Sequence, residues 1–227
     1  MSTKTGLVCA AVALSLLAAM PIRAGVIVYG DPADVGNQIW DGSLAEDFTV
    51  NSPTVVSALA VYESGQTGLV GPLSVAIFAS DGTQETPTLT FTSATTGTTL
   101  IGGDLFLSLA TPVTLAAGNY SLTTAGWGPN DLDGNANCVG TTGCGTSGGP
   151  FTAPSLNTDG GAITFTGVGY LASGGLQYLA PSGSLPADQF NIGSLEVGAP
   201  EPAPTASLAL GLLFLLIPVV RRQLATR

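Results

Sequence analysis

The chain has 227 residues, 45% of them apolar, with 31 Gly, 15 Pro and only 9% charged, which excludes a disordered chain and argues against a helical bundle. Five bases (Lys4, Arg23, Arg221, Arg222 and Arg227) stand against fifteen acids, there is no His, and the formal net charge is −10. All five bases are terminal, so the span from Gly25 to Ala199 carries fourteen carboxylates and no cationic side chain; this excludes nucleic acid as a partner and any catalysis by imidazole, amine or guanidinium.

Residues 1–24 read as a secretory signal peptide. Lys4 supplies the positive start, Leu7 to Met20 is the apolar stretch, Pro21 breaks it, and Ala24 offers a small residue before the cut. The stretch is too short for a helix that must cross about 30 Å of hydrocarbon.

From 25 to 198 the pattern is short apolar runs punctuated by Gly, Pro, Asp and Ser, and strands are expected at 26–29, 45–50, 54–63, 73–79, 88–93, 105–110, 119–124, 162–171 and 190–197. Leu73, Val75 and Ile77 alternate onto one face, as do Leu105, Leu107 and Leu109, and Ile163 with Phe165. The run 54–63 is apolar on both faces, which predicts a central strand. No helical periodicity interrupts the series. The fold class predicted is all-β, an antiparallel β-sandwich of jelly-roll type, flanked by an N-terminal signal helix and a C-terminal transmembrane helix.

The strand pattern stops between Trp127 and Gly161, and long strandless insertions of this kind tend to be functional. Within it, Asp131, Asp133, Asn135 and Asn137 alternate oxygen side chains around Gly134, a spacing that suits a hard cation such as Ca2+. An EF-hand would need Glu at position 142, which is Thr, so further oxygens would come from backbone or from Asp104 or Asp159; the competing reading is an Asx-rich turn capping its own backbone. Cys138 and Cys144 are the pair left once Cys9 departs with the signal, and they predict a local disulfide. Gly145-Thr146-Ser147-Gly148-Gly149 has the spacing of a serine nucleophile elbow, but the chain has no His to act as base, so it reads as a loop. Trp127, beside the acidic loop, is a candidate glycan-stacking platform, with Trp40, Tyr170 and Tyr178 as further aromatics. Glu46, Asp47 and Glu63 lie nearest the apolar strands and are the acids from which a two-carboxylate glycosidase would be built.

At the other end Pro200-Glu201-Pro202 lies in a stretch that neither helix nor sheet can absorb. An apolar run at 206–220 follows, then Arg221 and Arg222, which would stop transfer on the cytoplasmic side. Fifteen residues at 1.5 Å each make a thin span of about 22 Å. These three parts in this order resemble the PEP-CTERM sorting signal of Gram-negative bacteria, with Pro218 inside the helix as a departure. The segments 45–50, 55–62, 75–78 and 111–120 resemble strands of PEP-CTERM ectodomains, a likeness that names a structural module and no activity.

The resemblance implies three regions: a signal peptide at 1–24, an extracellular domain at 25–198 and a sorting signal at 199–227. It also implies an exosortase and the secretion machinery as partners, with the chain anchored first in the inner membrane by its C-terminal helix and then resident in the envelope or outside the cell. The expected role is a non-catalytic structural or adhesive one at the cell surface or in the extracellular matrix. The alternatives are a calcium-assisted module binding extracellular polysaccharide and a carboxylate glycosidase.

Fourteen acids without a counter-ion repel one another, so the melting temperature is expected to rise with added NaCl at neutral pH. A thermal melt that is flat from low to moderate salt would contradict this.

Overall fold

The alternation of apolar with Ser and Thr positions resolves into two antiparallel sheets of five strands each. The computed structural model describes residues 25–136, 151–183 and 185–198. The first sheet runs in the order β1 (Val26–Ile27), β14 (Leu195–Gly198), β4 (Thr54–Tyr62), β8 (Asp104–Leu115) and β7 (Thr99–Ile101). The second is ordered β12 (Ile163–Leu171), β3 (Ser43–Val50), β9 (Gly118–Ala125), β5 (Leu73–Ala79) and β6 (Leu89–Phe91). Two small pairs complete the set: β10 (Gly134–Asn135) with β13 (Phe190–Asn191), and β2 (Tyr29–Gly30) with β11 (Ser155–Leu156). The chain is all-β over these residues.

Both sheets contribute to one hydrophobic cluster. Val56, Leu59, Val61, Leu195 and Val197 enter from the first sheet, and Leu44, Phe48, Val75, Ile77 and Leu122 from the second. The strand at 54–62 is central, as its two-sided apolar sequence predicted. Leu59 and Val61 join the main core while Ala58 and Ala60 pack with Phe106 in a separate small cluster. On β3 the inward positions are Leu44, Glu46, Phe48 and Val50. Their neighbours across the ladder are Tyr170, Val168, Phe165 and Ile163 on β12. A bulge between Phe165 and Gly167 (φ +145°) keeps Val168 and Tyr170 on that face despite one extra residue.

The outer face of β3 and β9 is buried as well. The segment 177–182 runs across it, accepting hydrogen bonds from Ser121 Oγ at Leu179 O (2.9 Å) and from Thr123 Oγ1 at Gln177 O (2.8 Å). The Ser182 N–H closes the segment onto Val168 O at 2.8 Å. Asp47, on this face, therefore has no more access to water than Glu46 on the other.

Several boundaries differ from the sequence reading. The expected strand at 26–29 divides, its first half pairing with β14 and its second with β11. The run at 190–197 divides at Gly193 (φ +133°), where the chain presses so close to β4 that a Cβ would lie 2.2 Å from Ala60 O. The strand at 105–110 extends to Leu115, and Thr99–Ile101 adds an edge strand whose three residues are all exposed. The insertion after Trp127 is not strandless, since β10 and β11 both fall in it. The expected signal peptide at 1–24 and the apolar run at 206–220 lie outside the described residues; among the described ones, no helix is long and apolar enough to cross a membrane.

Gly193→Ala should destabilise the fold by about 2–4 kcal/mol, combining backbone strain with a steric clash. Gly82→Ala, at φ +88° with open space around it, isolates the strain and should lose only about 1 kcal/mol. Equal losses for the two in urea titrations would remove the clash from the account.

Candidate functional site

The alternating oxygen ladder of the 131–135 loop is split among three surroundings. Asp131 turns its carboxylate onto the backbone of another loop, accepting from Val70 N at 3.0 Å and Gly71 N at 2.6 Å. Asn135 enters an amide chain: its Nδ2 donates to Gln38 Oε1 and its Oδ1 accepts from Gln189 Nε2, both at 3.0 Å. Asp133 sits between them in sequence, fully buried, with neither carboxylate oxygen meeting a donor. No group of three or more His, Cys, Asp or Glu side chains among the described residues is arranged around a common metal position. Trp127 is a core residue, 3% exposed, with its indole N–H on Thr124 Oγ1 at 3.1 Å, so its ring offers no platform to a ligand. Asn137, Cys138, Cys144, Pro200, Glu201, Pro202, Arg221 and Arg222 lie outside the described residues.

Two arrangements that the sequence did not announce replace that loop as candidates. The first is interior. Asp31, following β2, and Asp104, opening β8, are both buried, and Asp104 Oδ2 accepts the Asp31 N–H at 3.1 Å. Asp31 Oδ2 accepts from Gly193 N at 3.0 Å, and Asp31 O accepts from Gly103 N at 2.7 Å. Asp31 Oδ1 and Asp104 Oδ1 meet no donor, and the neighbouring Asp104 raises the proton affinity of Asp31 beyond the effect of burial. Glu46 points into the core between Leu44 and Phe48, fully buried, with neither oxygen bonded. The Tyr29 hydroxyl, buried and unbonded, lies within the electrostatic reach of Glu46.

With no cation to offset them, these groups hold their protons tightly. Burial pushes Asp31, Glu46 and Asp133 well above the usual carboxylate range, and the charge of Asp104 adds to the effect at Asp31 and Glu46. Asp104 is raised to about 7 by burial, against the opposing pull of its hydrogen bonds with Asp31. Asp47 is also raised to about 7 by burial, although its bond from Ser121 Oγ favours the ionised form. Glu63, the third acid of the glycosidase reading, caps a turn by accepting from Gly68 N. None of these carboxyls faces an open cleft.

The second arrangement is open. A cleft of about 290 Å³ lies at the end of the second sheet, lined by the aromatic rings of Trp40 and Tyr170, the amides of Gln38, Asn135 and Gln189, and the apolar Leu44, Leu185 and Phe190. The Trp40 ring is fixed by its N–H on Leu171 O at 3.0 Å and meets Tyr170 edge to face at 5.7 Å and 88°. Tyr170 is 49% exposed, an unusual surface position for an aromatic on a core-facing ladder. Asn37 holds the amide side in place, donating through Nδ2 to Asn135 O (2.9 Å) and accepting Asn135 N at Oδ1 (2.8 Å). Among the described residues, no charged one lines the cleft. In sequence its parts are scattered over positions 38 to 190, and only the aromatic residue types hinted at it. The chain matches no family model, no curated protein and no solved structure.

The interior acids set a pH dependence whose sign is fixed. Asp47 and Asp104 keep their protons up to about pH 7 in the folded state but release them near 3.8 when unfolded. Their contribution is therefore fully present below about pH 4 and is lost as the pH rises through 7. The melting temperature should be highest on the acid side and fall toward pH 8. Glu46→Gln, which cannot ionise, should raise it at pH 8 and close the gap to wild type near pH 4. A melting temperature that climbs steadily from pH 4 to pH 8 would overturn the assignment of protonated interior carboxyls.

Proposed function

We propose that this is an exported protein of the cell surface or extracellular matrix, with a non-catalytic structural or adhesive role. In this reading residues 1–24 direct export, and the segment 199–227 is the PEP-CTERM-like signal that an exosortase processes. We further take the two sheets as halves of a β-sandwich of jelly-roll type, because β3, β4 and β5 alternate between them.

The observation that carries the non-catalytic reading is where the acids lie. Apart from Cys138 and Cys144, expected to be paired, the chain from 25 to 198 offers carboxyl, hydroxyl, amide and aromatic chemistry, and the carboxyls with raised proton affinity are sealed in the interior. A glycosidase needs its acid and its partner carboxylate on either side of a bound sugar, within about 5–10 Å of each other. The open cleft has neither. Its chemistry suits recognition and holds no group that could move a proton at neutral pH.

The export reading is tested by expressing the full-length chain in a host that carries an exosortase. Wild type should be shortened at its C-terminus and leave the inner membrane, whereas Pro200→Ala with Pro202→Ala should accumulate as membrane-bound precursor. Identical fractionation of the two would count against it. Reducing-sugar release from polysaccharide that disappears in Glu46→Gln or Glu63→Gln would restore the enzyme reading.

A further inference from the structure

We infer that the cleft between Trp40, Tyr170 and Gln38 binds one pyranose ring of a neutral polysaccharide, without calcium. The inference deepens the adhesive reading and rests on it for its setting, while the chemistry stands on the cleft alone.

A sugar ring is amphipathic in a particular way: its faces present C–H groups and its rim presents hydroxyls that both donate and accept. The cleft is built with the same division. Trp40 and Tyr170 stand at 88° to each other and supply aromatic surface for the C–H faces, and the rings are held before any ligand arrives. Gln38, also on the lining, is half-buried and carries an amide, a neutral group that presents a donor atom and an acceptor atom side by side. The Asn135 amide donates to Gln38 and Gln189 donates to Asn135, so the amide that meets the rim is oriented by two others behind it. Asn135 and Gln189 are positioning residues; Trp40, Tyr170 and Gln38 make the contacts.

Charge narrows the class. An anionic sugar would call for Lys, Arg or His, and none of the described residues is one of these. The domain also carries an excess of acid that repels uronic acids and sulfated glycans. A calcium-bridged sugar would need carboxylates in the lining, and none of the described lining residues is one. At about 290 Å³ the cleft sits at the lower end of small-molecule sites, which start at roughly 300 Å³, and this matches one ring better than several. It stays open beside Tyr170, so the ring it takes can belong to a longer chain.

The two tryptophans make the test direct, because Trp127 is sealed in the core and Trp40 lines the cleft. Cellohexaose, laminarihexaose and mannohexaose are titrated separately into the full-length chain while tryptophan emission is followed, with polygalacturonate as the anionic comparison. At least one neutral oligosaccharide should shift the emission saturably, with the same midpoint in calcium and in EDTA, and polygalacturonate should not. Tyr170→Ala, at an exposed position that leaves the core alone, should weaken binding about tenfold, and Gln38→Ala about fivefold. Circular dichroism melts confirm that each variant is folded before it is titrated. The inference is overturned by no response up to an order of 10 mM for any of the three, by an equal response to polygalacturonate, by loss of binding in EDTA, or by wild-type affinity in folded Tyr170→Ala. Any of these leaves the export reading standing, because that reading is judged by processing in cells.

Discussion

Every buried acid in this domain must be accommodated without a positive charge. Between Gly25 and Gly198 there is no Lys, Arg or His, yet Asp31, Glu46, Asp47, Asp104, Asp131 and Asp133 are all buried. Transferring an unpaired carboxylate from water into an apolar interior is prohibitive, so the fold has only three remedies: backbone N–H groups, hydroxyls and protons. Asp131 takes the first, with two N–H donors from 70–71. Asp47 takes the second through Ser121. Asp31 and Asp104 combine the first with raised proton affinity, and at Glu46 and Asp133 burial raises the proton affinity well above the usual carboxylate range.

That constraint also organises the chain. Asp31 gathers the end of β2, the start of β8 and the Gly193 turn into one junction, using both its backbone and its side chain. The same turn lies against Ala60 on the central strand β4, where only a glycine fits. The close approach and the carboxyl pair therefore support each other: moving the turn outward would free the Gly193 N–H from Asp31 and expose a half-satisfied carboxyl pair. In the fold these acids are polar fasteners of the interior.

Proton-holding groups and recognition groups are consequently separated. The carboxyls with perturbed proton affinity face inward, where no ligand reaches them, and the outward cleft is assembled from neutral amides and aromatic rings. The cleft exists because β12 carries Tyr170 beyond the covered part of the core face, and because 37–38, 134–135 and 189–190 converge there through the β10–β13 pair and the Gln38–Asp133 bridge. There a hydrogen-bonded amide chain lies beside an edge-to-face aromatic pair, and the sugar-binding proposal rests on that juxtaposition.

The sequence by itself determined the all-β class, the central place of 54–62 and most of the strands, because periodicity two and Gly, Pro and Asp punctuation are local signals that side-chain burial enforces residue by residue. It also settled that no cationic side chain lies between Gly25 and Ala199, which is a matter of composition. Only the tertiary structure decided what the polar residues do. Asp131, Asp133 and Asn135 alternate in sequence as ligands of one centre might, yet the β10–β13 pair and the Gln38 bridge turn each toward a different neighbour. The sequence favoured Trp127 as the platform because it adjoins the acidic loop, whereas the fold places Trp127 in the core and Trp40 on the cleft. The difference is physical: burial and partner choice for a polar or aromatic side chain depend on which distant segments meet it, and at Asp31 those segments are 73 and 162 residues away.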